Sequence, residues 1–222
     1  MLQEGGAVLK GAMTHAGSSY ELDTPEALRR LAEQERRECV RAAERLRAAG
    51  LSCPEVSIGS TPTALSAAKL DGVTEVRAGV YALFDLVMAN VGVCTPQDIA
   101  LSVLTTVIGH QAEKGWTIVD AGWMAMSRDR GTERQKTDYG YGAVCDAEGR
   151  LLDDLIMTGA NQEHGILSML PGSEAPLPDL PVGTRLRILP HHACATAAQH
   201  REYRIVEGSQ AIEATWPRSG GW

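Results

Sequence analysis

The stretch Ile188 to His200 reads ILPHHACATAAQH and follows the run Arg185-Leu186-Arg187-Ile188-Leu189. That run alternates arginine with leucine and isoleucine, which predicts a β-strand leading into Pro190. His192 and Cys194 then arrive two residues apart. In extended chain, residues i and i+2 point to the same side. An imidazole and a thiol on one face can share a metal ion, and that pair of donors suits zinc. Two protein ligands are fewer than a closed structural zinc site uses. A metal held here would keep open positions for water or substrate, as a catalytic ion does, or would be completed by residues from elsewhere. The alternative is a histidine and a cysteine that are only packed and hydrogen-bonded.

Working outward, the chain has 222 residues, enough for one large domain or two small ones. Apolar residues make up 44% and charged residues 22%, as in an ordinary globular protein. A net charge of −7 and a pI near 5.4 argue against nonspecific binding to nucleic acid or to an anionic membrane. No apolar run is long enough to span a bilayer, and the first residues, MLQEGGAVLK, do not resemble a signal peptide. The five cysteines, Cys39, Cys53, Cys94, Cys145 and Cys194, have no paired spacing and suit free thiols in a reducing cytoplasm.

The first half has a β-α-β rhythm. Ala7–Thr14 is expected to be a buried strand running into the polar loop His15-Ala16-Gly17-Ser18-Ser19-Tyr20. Polar groups just past the C-terminal end of a strand are typical of a barrel active site, though a Gly/Ser loop can also be a plain cap. A helix follows, capped by Asp23 or Thr24, with Pro25 and Glu26 in its first turn and Gly50 at its end. Leu28, Leu31, Ala32, Cys39, Ala42, Ala43 and Leu46 mark its apolar stripe. Glu55–Ile58 reads as a strand, and Gly59-Ser60-Thr61-Pro62-Thr63 after it is built to hold a phosphate, although such loops are common. Val73–Tyr81 is expected to be a third strand, with Gly79 where a ligand could approach the backbone.

The second half is expected to be mainly antiparallel β, without helices. Its strands are predicted at Ile99–Ile108, Trp116–Val119, Gly140–Val144, Leu152–Met157 and Arg185–Leu189. Tyr203–Val206 and Ala211–Trp216 form a closing hairpin around Glu207–Gln210. Asp120-Ala121-Gly122 and Asn161–Gly165 read as turns, and Pro171–Pro181 as an exposed loop. The boundary between the halves is placed within Asp85–Gln97.

Taken in order, THAGSSY, GSTPT, EVRAGVY, DAGWMAMSRD, QEHG, PHHACAT and a terminal GGW resemble the D-serine dehydratase-like family, whose relatives include D-threonine aldolase. The resemblance runs over nearly the whole chain, and it rests on the register of the motifs together, since none is specific alone. It implies α/β plus β: part of an alanine-racemase-like (β/α) barrel over residues 1–90, then a C-terminal antiparallel β domain over 91–222 carrying the metal ligands. It implies pyridoxal 5′-phosphate, with Gly59, Ser60 and Thr61 at its phosphate, Gly79 and Val80 completing the cradle, and Tyr20 lining the cofactor site. His15 lies in the same loop without an assigned role. It implies zinc, or another divalent metal, on His192 and Cys194. The aldolase branch tends to carry aspartate at the second position, so His-x-Cys points to the dehydratases.

The implied reaction is β-elimination from a small D-hydroxy amino acid such as D-serine, giving pyruvate and ammonia. Retro-aldol cleavage to glycine and an aldehyde is the alternative, and a non-catalytic fragment is the other. The family's Schiff-base lysine has no counterpart here. The chain's lysines are Lys10, Lys69, Lys114 and Lys136, and none has that context. Met13 stands where relatives often carry a second tyrosine. The chain is therefore expected to be the C-terminal portion of a longer or split enzyme, with no elimination activity alone. A homodimer, or an assembly that includes a missing N-terminal half, is expected.

Overall fold

A computed structural model describes residues 5–207 and 210–220. The chain divides into two compact units, Met1–Ala82 with Val91–Val93, and Leu83–Asn90 with Cys94–Trp222.

The first unit contains β1 (Gly11–Met13), α1 (Pro25–Ala48), β2 (Glu55–Ile58), α2 (Thr61–Ser66) and β3 (Glu75–Val76). Its strands form a parallel sheet in the order β1-β2-β3, with Gly11 opposite Glu55 and Ser57 opposite Glu75. β1 is much shorter than the expected Ala7–Thr14 strand, and Val8 is exposed. A strand extends only as far as its partner, and β2 has four residues. The expected Val73–Tyr81 strand likewise shrinks to β3, and Val80–Ala82 is a 3-10 turn.

α1 forms as its punctuation predicts. The Thr24 hydroxyl accepts from the Ala27 amide, and Pro25 opens the first turn. Leu28, Ala32, Cys39 and Ala43 are buried, whereas Ala42, expected on the stripe, faces solvent. Cys39 and Ala43 pack with Cys53, Val56 and Ile58 as the core of this unit. Glu35 lies on the same buried face.

The second unit holds all but the last residue of α3 (Leu86–Val91) and continues through β4 (Val103–Gln111), β5 (Trp116–Val119) and α4 (Trp123–Met126). It then runs through β6 (Gly142–Asp146), β7 (Leu151–Ala160), β8 (Gly165–Met169), β9 (Arg185–Pro190) and α5 (Ala193–Ala198). β4 to β9 close into an antiparallel barrel in the order β4-β5-β8-β7-β6-β9, with β9 paired back to β4. Register shifts at Val107/Gly109, Ala143/Cys145 and Met157/Gly159 supply the bends that closure needs. Val107, Val119, Val144, Met157, Leu167 and Ile188 fill the barrel, each aliphatic contributing roughly 1.5–3 kcal/mol on burial. On its outer side, Ala143, Cys145 and Leu189 pack with Leu86 of α3 and Ile99. That second covered face is why β6 reads as a continuous apolar run rather than an alternating one.

Three expectations for this unit are corrected. α4 and α5 occupy a region expected to lack helices, and at four and six residues they are too short to show a 3.6-residue period. β8 was not anticipated after the Asn161–Gly165 turn. The closing hairpin pairs β10 (Glu202–Ile205) with β11 (Ala214–Pro217), so its second strand starts later than Ala211. Gly208 and Ser209 of its connection, and the last two residues of the GGW motif, lie outside the described residues. Among the described residues, no helix is long and apolar enough to cross a membrane.

Candidate functional site

In the second unit the chemistry gathers where β9 ends. His192 has extended backbone, as the spacing suggested, but the extended run stops there and does not continue through Cys194. It occupies the N-cap position of α5, and Cys194 lies in the first turn of that helix. The turn is held from several directions. The Asp85 carboxylate accepts the Ala193 amide at 2.9 Å and the Met88 amide at 3.0 Å. Thr196 Oγ1 donates to the Met126 carbonyl at 2.6 Å, and the Ala125 carbonyl lies 3.0 Å from His200 Nε2. These bonds tie α5 to α4 and bring the DAGWMAMSRD and PHHACAT motifs together.

The structure still places His192 and Cys194 side by side, through a helical turn instead of a strand. The Cys194 side chain, ahead of Asp129 and against the opposing effect of burial, pushes His192 up to about 9. Asp129 Oδ2 accepts from His192 Nδ1 at 2.5 Å. A carboxylate on one ring nitrogen orients the ring, and a metal shared with Cys194 would take the place of the proton on the other nitrogen, the usual arrangement of a metal-binding histidine. Cys194 is exposed and His192 half-buried, so the pair is open to solvent. Among the described residues, no cluster of three or more His, Cys, Asp or Glu could hold a metal ion. An imidazole and a thiolate are donors that suit zinc rather than a hard ion such as magnesium or calcium, and as two ligands they would leave its other positions unfilled.

His191 beside it is fully buried, and neither ring nitrogen has a hydrogen-bond partner among the described residues. Burial first, and then the neighbouring His192, pushes His191 down to about 4. A Cβ on Gly131 would meet Val87 Cγ2 at 2.8 Å and lie 3.6 Å from His191 Nδ1. The DAGW and QEHG motifs also meet. The Trp123 and Met124 amides donate to the Asn161 and Gln162 carbonyls at 2.9 and 3.2 Å, and a Cβ on Gly122 would come within 2.3 Å of the Gln162 carbonyl.

In the first unit, the loops past β1 and β2 face each other. His15 Nδ1 donates to the Gly59 carbonyl at 3.0 Å, and the Tyr20 hydroxyl lies 3.5 Å from His15 Nε2. Ser19 and Ser60 share a hydrogen bond of 3.1 Å. The Ser60 amide donates to Thr63 Oγ1 at 3.2 Å, forming a capping box. Gly59 has φ +129°, and a Cβ there would meet the Arg77 carbonyl at 2.3 Å, so this position requires glycine. Thr61 is 2% exposed, and its hydroxyl has no partner among the described residues. An orphaned buried hydroxyl beside a glycine turn is a donor waiting for an oxyanion, so the loop fits a phosphate. Arg77 donates from Nε to Ser57 Oγ at 2.9 Å and from Nη2 to the Thr14 carbonyl. Gly79 is exposed with open space beside it, and Val80 starts the 3-10 turn.

Sequence reasoning missed Asp129, Glu35 and His191. Asp129 is 63 positions from His192, and nothing local links them. Glu35 had a signal: a charge in phase with Leu28, Ala32 and Cys39 on an otherwise apolar stripe. His191 had none, since two adjacent histidines do not say which is buried.

Comparison with known proteins bears on both units. Residues 1–86 match the alanine racemase N-terminal domain, and residues 100–206 match a putative serine dehydratase domain. The chain belongs to the D-serine dehydratase-like family. It is 66% identical over its whole length to D-threo-3-hydroxyaspartate dehydratase of Delftia sp. (strain HT23), of which it covers 58%. It is 28% identical to D-serine dehydratase of Dictyostelium discoideum, over 96% of this chain and 54% of that protein. The chain thus spans little more than half the length of these family members. A histidine-to-alanine and a cysteine-to-alanine variant of D-threo-3-hydroxyaspartate dehydratase, the latter in a metal-free form, superpose on the whole chain with TM-scores of 0.92 and 0.91. At 64% identity, the chain covers 57% and 59% of those two structures. The family fold, an alanine-racemase-like N-terminal domain followed by a six-stranded antiparallel barrel, is the one seen here.

Proposed function

We propose that the chain is the part of a D-hydroxy amino acid dehydratase that carries the cofactor's phosphate loop and the metal pair. D-threo-3-hydroxyaspartate is the first substrate to try and D-serine the second. The observation that carries this reading is His192, held on Nδ1 by Asp129 with Cys194 beside it. The family's solved histidine and cysteine variants support it, because the two substituted positions there are also two residues apart.

When bound, pyridoxal phosphate supplies a sink for the electron pair released at Cα, and a divalent metal supplies a Lewis acid for the departing β-hydroxyl. Thr61 Oγ1 would donate to the phosphate from the Gly59-Ser60-Thr61 turn, while Gly79 and Val80 remain candidates for its rim. Tyr20 and His15 place a hydroxyl and an imidazole at the edge of the same turn. His192 and Cys194 would hold the metal, and Asp129 keeps the imidazole in the ligating tautomer. Lys10, Lys69, Lys114 and Lys136 are all exposed, so the base for the Cα proton is assigned to none of them. The reading extends to a homodimer as the working assembly.

Elemental analysis of the purified chain after equilibration with zinc and desalting is the test. One zinc per chain in the wild type, lost in both His192→Ala and Cys194→Ala, supports the reading. Zinc retained in full by either variant contradicts it.

A further inference from the structure

Glu35 is 7% exposed, on the buried face of α1 with Leu28, Ala32, Cys39 and Ala43. A carboxylate among such neighbours is costly unless donors surround it. Three do, from three different places. Oε1 accepts from Thr14 Oγ1 and from the Gly59 amide, each at 3.0 Å. Oε2 accepts from Thr63 Oγ1 at 2.8 Å. Thr14 follows β1, Gly59 follows β2, and Thr63 lies in the first turn of α2.

We propose that Glu35 is a positioning residue for the phosphate loop: its carboxylate clamps Gly59 and Thr63 so that the buried Thr61 hydroxyl between them stays unpartnered and available to donate to a phosphate monoester. This rests on reading Gly59-Ser60-Thr61 as a phosphate loop. The hydrogen bonds form a consistent chain. With its proton on Glu35, Thr63 Oγ1 is free to accept the Ser60 amide. With the Gly59 amide also on Glu35, neither of these two donors turns to Thr61 Oγ1, which alone lacks a partner among the buried side-chain atoms of the turn. Removing Glu35 releases the Gly59 N–H and the Thr63 O–H to compete for Thr61 Oγ1 and collapses that arrangement. A carboxylate so near an anion would repel it if left bare. Here three donors absorb its charge, and the Arg77 guanidinium lies against the same strand ends.

The test is calorimetric titration of the chain with pyridoxine 5′-phosphate and, separately, with pyridoxine, which form no imines with surface lysines. Wild type is expected to bind the phosphorylated compound more tightly. Glu35→Ala is expected to lose about tenfold of that affinity while binding pyridoxine as before, and Glu35→Gln, which keeps an acceptor for Gly59, is expected to recover most of it. Should Glu35→Ala fail to fold, Glu35→Asp carries the test, since a side chain one methylene shorter cannot reach both Gly59 and Thr63. It is expected to show the same phosphate-selective loss. Equal affinity of wild type for the two compounds overturns the phosphate-loop reading itself. Wild-type selectivity that survives in every folded Glu35 variant, or equal loss of both compounds, overturns the role of Glu35 alone.

Discussion

Asp129 shows how one residue can decide what its neighbour does. Its carboxylate engages Nδ1 of His192, so the other ring nitrogen is the one available to a metal. Asp129→Asn keeps the shape but loses the charge that fixes the tautomer. Zinc affinity, measured by competition with a chelator, is expected to fall about 10- to 100-fold, with the fold unchanged by circular dichroism. The half-buried Cys94 and the buried Cys145 make a second prediction at this scale. Burial pushes both Cys94 and Cys145 up to about 11 from an ordinary value near 9. A raised native pKa means that between these values the unfolded chain has released protons the native state still holds, so stability falls as pH rises. The unfolding midpoint is expected to drop from about pH 9 to about pH 11, and less steeply in a Cys94→Ala, Cys145→Ala variant. Equal slopes in the two proteins would remove the thiols from the account.

At the scale of elements, what the sequence shows depends on how local its cause is. α1 is legible because its cap, its proline and its stripe are all written within 24 residues. α5 is not, because six residues after a strand-like run carry no period, and so the extended backbone expected at His192 is found while the helical turn at Cys194 was missed. The site's supports were the least legible part. Asp85, Asp129 and Met126 reach α5 or its N-cap from 60 or more positions away, and only the closed fold brings them there. Gly122 belongs to the same class. It was expected only as a turn residue, yet its missing Cβ lets the DAGW turn lie against the Asn161 and Gln162 carbonyls. Gly122→Ala forces that contact apart and is expected to destabilise the second unit by roughly 1–3 kcal/mol in a denaturant titration. An unchanged midpoint would mean the two loops separate freely.

For the whole molecule, the parallel β-α-β rhythm and the antiparallel second half could be read from motif order and strand content. Closure of the second half into a barrel could not, because it depends on the β5-β8, β6-β9 and β4-β9 pairings between strands far apart in sequence, which no local pattern encodes. On the proposed reading the two units each carry a share of the chemistry: Thr61 in its glycine turn, and His192 with Cys194 on the barrel unit. The most direct test of that central claim is titration with cobalt(II), which reports a metal–sulfur bond by its own absorption. A thiolate-to-cobalt charge-transfer band saturating at one cobalt per chain, abolished in Cys194→Ala and weakened by many-fold lower affinity in His192→Ala, is the predicted result. A wild-type spectrum identical to that of Cys194→Ala would contradict the account, because it would mean that Cys194 binds no metal.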